Sequence, residues 1–422
     1  VRKVGFPIKA PPVADEERVA IGIVVRRAGA ELDRVDLDLA VKQPRDNRRV
    51  TFVSRIDDTV QYFGFLPAGG EPGRKALVLS LHGAAVEAIN QSGSYAPLDW
   101  AHVVAPTNRR PFGFDWENWG RLDALEVLEL AQSNLEIDPD RVYLTGHSMG
   151  GHGTWHLATL HPDRFAAAGP SAGWITYWSY RREPPSDASS PIKDMLSRAT
   201  LTSRTLEKAS NLAPLGLYVL HGAEDDNVPP EQSHLMLERL EDFHRDFVYH
   251  EEPEVGHWWD LSDEPGADCV AWAPMFDFFA RHRRPAIEEV RDLSFLTPNP
   301  AVSSWHHWAG IQRQQRPFEM SSVELHLDPW RARVSGTTAN VEVLGLGLSH
   351  LGTDSVRIEL DGEVLVVPMP KGGPLWLERR DVWTHVRHTD PALRGAHRNG
   401  GFRDAFTNRP QLVYGTQGTA EE

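Results

Sequence analysis

Two stretches of the chain, Gly146-His147-Ser148-Met149-Gly150 and Gly169-Pro170-Ser171-Ala172-Gly173, fit the pattern G-x-S-x-G. That pattern puts a serine hydroxyl on a sharp turn between a strand and a helix, where it can attack a carbonyl carbon. Context separates the two. Arg141-Val142-Tyr143-Leu144-Thr145 before the first reads as an apolar strand, and a glycine-rich helix start follows it. The second has no helical pattern after it, and Pro170 removes a backbone N–H at the turn. Ser148 is therefore the expected nucleophile and Ser171 a loop or pocket residue.

A serine hydroxyl is a poor nucleophile at neutral pH. It needs a histidine to take its proton and a carboxylate to hold that histidine in one tautomer. Leu217-Tyr218-Val219-Leu220-His221-Gly222 reads as a strand entering a turn, followed by Ala223-Glu224-Asp225-Asp226-Asn227-Val228-Pro229. Of its three carboxylates, Asp225 is preferred, with Asp226 the main rival and Glu224 behind both. The base should follow the next strand, Phe247 to His250, which points to His257 after Gly256. His221 precedes the acid and is expected to brace its loop. The chain has 19 histidines, so most must be structural. An oxyanion needs two preorganised donors. The expected pair is the Met149 N–H and the Ala84 N–H, the latter in Leu81-His82-Gly83-Ala84-Ala85, where Gly83 lets the chain come close.

The elements that must position these groups follow from periodicity. Ala76-Leu77-Val78-Leu79-Ser80-Leu81 is a continuous apolar run, as expected of a strand buried on both faces. Ala101 to Ala105, Arg141 to Thr145, Leu215 to Leu220 and Phe247 to His250 are further strands. Asp123 to Asn134, Gly150 to Leu160, Glu231 to Phe243 and Val270 to Arg281 read as helices, Pro274 displacing the start of the last. Alternation of this kind implies a mainly parallel sheet covered on both faces. Residues 174 to 212 interrupt the rhythm as an insertion near the strand ends. Residues 1–68 carry short β-type runs and are expected to form a small β-rich domain. Residues 69–285 form the catalytic α/β domain. Residues 286–422 alternate again, with a hairpin signal at Asp361-Gly362, and are expected to form a sandwich-like β domain.

Taken together, Gly146 to Trp155, His221 to Pro229 and Gly256-His257-Trp258-Trp259 resemble the α/β-hydrolase superfamily, in particular its prolyl oligopeptidase and related serine esterase branch. The resemblance covers residues 75 to 285. It implies a Ser148–His257–Asp225 triad working through an acyl-enzyme, with no metal and no cofactor. Prolyl oligopeptidases also carry a β-propeller, which the roughly 68 residues ahead of the hydrolase region are too few to build. That weighs towards a carboxylic ester hydrolase, with a peptidase as the alternative. An adhesion or carbohydrate-binding protein with an idle hydrolase scaffold is the alternative outside enzymes.

Composition narrows the partners. Lys and Arg number 44 against 59 Asp and Glu, a formal charge of −15. That acidity argues against nucleic acid, because no cation excess is present to displace counterions. No apolar run approaches the ~20 residues of a membrane helix. The expected substrate is a small-molecule or glycan-linked ester, or a peptide. Oligomeric state and compartment are open; a secreted or periplasmic location fits if an upstream signal was removed. Cys269 is the single cysteine, so no intrachain disulfide forms.

Fourteen tryptophans are present. Trp258, Trp119 and Trp174 are expected to line the substrate pocket, Trp258 foremost because it adjoins His257. His152 and His156 stand four apart, as in a zinc helix, but Gly153 occupies the place of the glutamate in H-E-x-x-H and no third ligand is evident; no metal is expected there. Arg109-Arg110 and Arg181-Arg182 read as solvated surface, with an anionic substrate group as the alternative. Asp123 is expected to cap a helix, and the roles of Asp115 and Glu117 are left open. Val1 suggests a trimmed or processed start. Gln411 to Thr416 reads as a strand, and Thr419 with Glu422 as the opening of a capping box, which suggests a longer polypeptide cut at a helix start.

Overall fold

The structure is a computed structural model that describes residues 17–109, 115–181 and 190–398. Arg110, Phe112 to Phe114, Arg182 and the segment 411–422 lie outside the described residues. The chain opens on a hairpin of β1 (Arg18–Arg27) and β2 (Ala30–Ala40), paired only with each other. Then come β3 (Arg48–Val53), β4 (Val60–Leu66), β5 (Lys75–Leu81), α1 (Ala88–Gly93), β6 (Ala101–Ala105), α2 (Trp119–Asn134) and β7 (Ile137–His147). They are followed by α3 (Met149–Leu160), β8 (Ala167–Ser171), α4 (Tyr177–Arg181), α5 (Pro191–Ala199), β9 (Gly216–Gly222), α6 (Glu231–Glu241), β10 (Phe247–Glu252) and α7 (Ala273–Arg281).

These elements build one sheet in the order β10-β9-β8-β7-β5-β6-β4-β3. Strands β10 to β6 run parallel, while β4 and β3 close the edge antiparallel. β5 shows why both faces must be covered. Successive side chains of a strand point to opposite faces. Leu77, Leu79 and Leu81 pack with Ala124, Val127, Leu128 and Ala131 of α2 and with Met149, Trp155, Leu157 and Ala158 of α3. Ala76 and Val78 point the other way, into a second core with Met275, Phe276, Phe278 and Phe279 of α7.

Two expectations are corrected here. The break drawn at residue 68 falls inside this sheet: β3 and β4 belong to it, because β4 pairs with β6 through Gly64, Phe65 and Leu66. Among the described residues ahead of position 68, only β1 and β2 stand apart from it. The sequence reading also passed over β8, whose Ala167-Ala168-Gly169-Pro170-Ser171 has none of the β-branched or aromatic residues that mark a strand. It is nonetheless central, between β7 and β9. Pro170 stands opposite Gly146 of β7, while β8 pairs with β9 through Ala167, Ala168 and Ser171, and the Thr145 hydroxyl donates to the Gly169 carbonyl at 2.6 Å. The stretch after it holds α4, α5 and short 3-10 turns and leads back into β9, as the interrupted rhythm implied.

Beyond α7 two five-stranded sheets share a third core. One has the order β11 (Asp292–Thr297), β14 (Ser321–Asp328), β15 (Arg333–Ala339), β17 (Ser355–Leu360), β18 (Glu363–Pro368). The other has β12 (Trp305–His306), β13 (Ala309–Gln314), β16 (Val341–Leu346), β19 (Leu375–Arg379), β20 (Trp383–Val386). Asp361 and Gly362 both take positive φ, 52° and 86°, as a two-residue hairpin turn demands. This β unit docks on the far end of α3. The Asn211 amide donates to the carbonyls of Thr159 (2.8 Å) and Leu296 (2.9 Å) and accepts the Leu296 N–H at 2.8 Å.

Candidate active site

Ser148 sits between β7 and α3 with φ 60° and ψ −119°, outside the regions open to ordinary residues. Such strain persists only where the surroundings enforce it. The Ser148 N–H donates to the Ser171 carbonyl at 2.9 Å, and the Ser148 carbonyl accepts the His152 N–H at 3.0 Å. The turn also demands bare backbone on both sides. A Cβ on Gly146 would lie 2.6 Å from the Leu81 carbonyl oxygen, and one on Gly150 would collide with that same oxygen.

The three side chains singled out in the sequence meet. His257 Nε2 lies 2.8 Å from Ser148 Oγ, and His257 Nδ1 lies 2.7 Å from Asp225 Oδ2. A carboxylate only accepts, so Nδ1 carries the proton and Nε2 is free to accept from the serine hydroxyl. Asp225 Oδ1 is held by the N–H groups of Asn227 (3.0 Å) and Val228 (2.8 Å). His221 donates from Nε2 to the Val228 carbonyl and meets the Ser233 hydroxyl through Nδ1, at 2.7 Å each, and so braces the acid's loop. Burial disfavours the Asp225 charge, yet His221, His257 and the Val228 N–H outweigh it and hold the carboxyl well below its usual range. Asp226 and Glu224, the rival carboxylates, are exposed.

Met149 is the first residue of α3, so its N–H is one of the donors a helix leaves unbonded. On the other side of Ser148, a Cβ on Gly83 would lie 3.7 Å from the Ser148 Cβ, so that loop passes beside the nucleophile. Ala84 follows in a turn closed by Val86 N–H to Gly83 O at 3.3 Å, and its side chain faces solvent.

Beneath the imidazole lies His147, its ring 4.9 Å from that of His257. Burial, and then the neighbouring His257, push its pKa down to about 3, so it stays neutral. It donates from Nδ1 to Ser171 Oγ at 3.0 Å, and Ser171 donates to the Cys269 carbonyl at 2.7 Å. Ser171 therefore ends β8 and links β7 to the 269 segment; it is not a loop residue. The Cys269 thiol is buried, and burial pushes it up to about 12.

The tryptophans divide. Trp258 is 56% exposed beside the histidines, edge-on to His147 at 5.4 Å. Trp119 is half-buried, with the Arg109 guanidinium 5.7 Å over its ring. Trp174 departs from expectation: it is buried, stacked between His152 at 5.1 Å and Tyr180 at 4.8 Å, and packs in the interior. Arg109 departs too. Its side chain is buried against Asp57, Asp123 and Glu126, and it ties the edge of the sheet to α2. Asp123 is fully buried and accepts the Thr107 N–H at 3.0 Å, so it caps no helix.

One cluster escaped the sequence reading. His152 Nε2 lies 3.2 Å from Asp115 Oδ1 and 3.8 Å from Glu117 Oε1. Burial opposes charge on all three. Even so, His152 holds both carboxyls below their usual range, and they lift its pKa to about 10. Asp115 and Glu117 lie more than thirty residues from His152, so no spacing rule could join them.

Residues 109–284 match the prolyl oligopeptidase family. An uncharacterized secreted protein of Arthroderma benhamiae is 25% identical over 327 residues, 71% of this chain and 34% of that protein. A poly(3-hydroxyalkanoate) depolymerase C of Paucimonas lemoignei is 33% identical over 130 residues, 27% of this chain and 31% of the depolymerase. This chain thus spans about a third of the length of each curated relative. Among solved structures, a thermostable esterase is 19% identical with a TM-score of 0.42, over 61% of this chain and 69% of its own. No helix among the described residues is long and apolar enough to cross a membrane. Over residues 109–284 the chain is thus similar to the prolyl oligopeptidase family, on an α/β-hydrolase fold.

Proposed function

We propose that the chain hydrolyses carboxylic esters through an acyl-enzyme on Ser148. The observation that carries this reading is the relay Ser148 Oγ to His257 Nε2 at 2.8 Å and His257 Nδ1 to Asp225 Oδ2 at 2.7 Å. His257 takes the hydroxyl proton as Ser148 Oγ bonds to the ester carbonyl carbon. Asp225 keeps the imidazole in the Nδ1–H tautomer and stabilises the imidazolium that forms. The Met149 N–H and a donor from the loop after β5, Ala84 N–H, take up the oxyanion charge. The imidazolium then protonates the leaving alcohol. A water, activated by the same imidazole, releases the acid and restores the serine. Trp258 offers an exposed aromatic face for the acyl or alcohol group.

The ester reading draws on the depolymerase relative, whose name describes action on a polyester. The second reading is a peptidase, favoured by the family match over residues 109–284. A fluorophosphonate probe and paired substrates test both. The probe should label the wild type and not Ser148→Ala, and aryl esters should be cleaved far faster than proline-containing amides. Cleavage of amides with esters ignored establishes the peptidase. An unlabelled serine returns the domain to an idle scaffold.

A further inference from the structure

His152 presents a chemical conflict that the hydrolase reading does not use. Its Nδ1 lies 3.0 Å from the Trp174 carbonyl, which can only accept, so Nδ1 carries a proton. In the neutral ring Nε2 is then a lone pair. It is fully buried, has no hydrogen-bond partner, and is aimed at two carboxylate oxygens, 3.2 Å from Asp115 Oδ1 and 3.8 Å from Glu117 Oε1. Three acceptors face one another, and the arrangement demands a positive charge between them. A proton on Nε2 supplies that charge as an imidazolium in ion-pair contact with both carboxylates, but makes no aligned hydrogen bond to either. A cation in the middle meets all three at once.

We propose that Asp115, Glu117 and His152 bind one divalent transition-metal ion of the zinc type. The three ligand atoms lie within 4.8 Å of one another. Zinc bonds to imidazole nitrogen and carboxylate oxygen run to about 2.0–2.2 Å, which spaces tetrahedral ligands about 3.4 Å apart. The observed 3.2 Å and 3.8 Å bracket that value. One nitrogen and two oxygens suit zinc-type ions better than calcium or magnesium, which favour oxygen alone. The surroundings are those of a ligand set. The Nδ1–H to a backbone carbonyl is the usual second contact of a metal-binding histidine. The other Glu117 oxygen accepts the Ser203 hydroxyl, and Asp115 Oδ1 accepts the Trp116 N–H at 2.6 Å. Trp174 lies flat on the imidazole at 5.1 Å and fixes its plane. The sequence reading expected no metal at His152 and His156, and His156 takes no part in this set, since neither carboxylate contact involves it. Bound there, the ion ties the Asp115 to Glu117 stretch to α3, the helix that starts at the nucleophile, without touching Ser148.

The test uses the whole chain, stripped with a chelator and returned to metal-free buffer. Zinc is titrated by calorimetry, retained metal is counted after gel filtration, and the unfolding temperature is followed. One zinc per chain is expected, with an unfolding temperature that rises with zinc. Glu117→Gln should weaken binding at least about tenfold, and the Asp115→Asn/Glu117→Gln double substitution should abolish it. The Asp115 and Glu117 side chains are each 20% exposed, so these isosteric changes keep the test valid if His152→Gln does not fold. Wild type that retains no more zinc than the double variant leaves an imidazolium as the only occupant and overturns the proposal. Equal affinity in both, which places the zinc elsewhere, also overturns it.

Discussion

At the scale of single residues, the division of labour between Asp225 and Asp226 is a matter of burial. Asp225 is 4% exposed and spends both oxygens on the imidazole and the loop. Asp226 beside it is in solvent. Asp225→Asn keeps the shape but offers Nδ1 of His257 a donor where it needs an acceptor, which favours the wrong tautomer. We expect kcat to fall by about 10³–10⁴-fold with KM little changed. Asp226→Asn should stay within roughly twofold of wild type. Steady-state kinetics on an aryl ester read both. Equal losses at the two positions would mean that the loop, not the carboxylate, was being measured.

At the scale of elements, the turn from β7 into α3 is where backbone and chemistry are joined. Gly150→Ala drives a Cβ into the Leu81 carbonyl oxygen, which belongs to the adjacent strand and cannot swing aside. The expected cost is about 1–3 kcal/mol of stability, with a fall in kcat as Ser148 is displaced. Gly372→Ala, with nothing within 4 Å of the new Cβ, should change stability by less than about 0.5 kcal/mol. Denaturant unfolding of the two variants makes the comparison, and a Gly150→Ala protein as stable as wild type would refute the packing argument. The turn was legible in the sequence because its signals are local: an apolar strand, flanking glycines and a helix start. The loops bearing Asp225 and His257 were legible for the same reason. What was not legible depends on distant meetings. β8 was missed because alanine, glycine and proline carry no strand signature. β3 and β4 were set apart because β6, the strand that β4 pairs with, comes only after β5 and α1 in the chain. Trp174 was taken for a cleft residue because its neighbours His152 and Tyr180 are assembled only by the fold.

At the scale of the whole molecule, buried neutral histidines set the response to acid. Burial pushes His147 down to about 3 and His306 down to about 4, and lowers His82 as well. In the unfolded chain these groups titrate near about 6.5. Between the two values the unfolded state binds protons that the native state refuses, so stability falls as pH falls through that window and is fully retained above it. His147 lies in the hydrolase core and His306 in the β unit, so both parts weaken over the same range. Thermal unfolding should drop steeply between about pH 6 and 4, and should also decline as pH rises from 7 to 8, because His152, lifted to about 10, keeps a proton there that the unfolded chain releases. A flat profile down to pH 4 would mean that these rings find solvent in the native state.

The lone thiol has a practical consequence. Cys269 is enclosed, and its pKa near 12 leaves almost no thiolate in neutral buffer. Maleimide dyes or spin probes would therefore find no competing target on the native chain. A second cysteine placed at will on the surface becomes an address for a single reporter, and distances within this protein can be followed in solution without first removing anything nature put there.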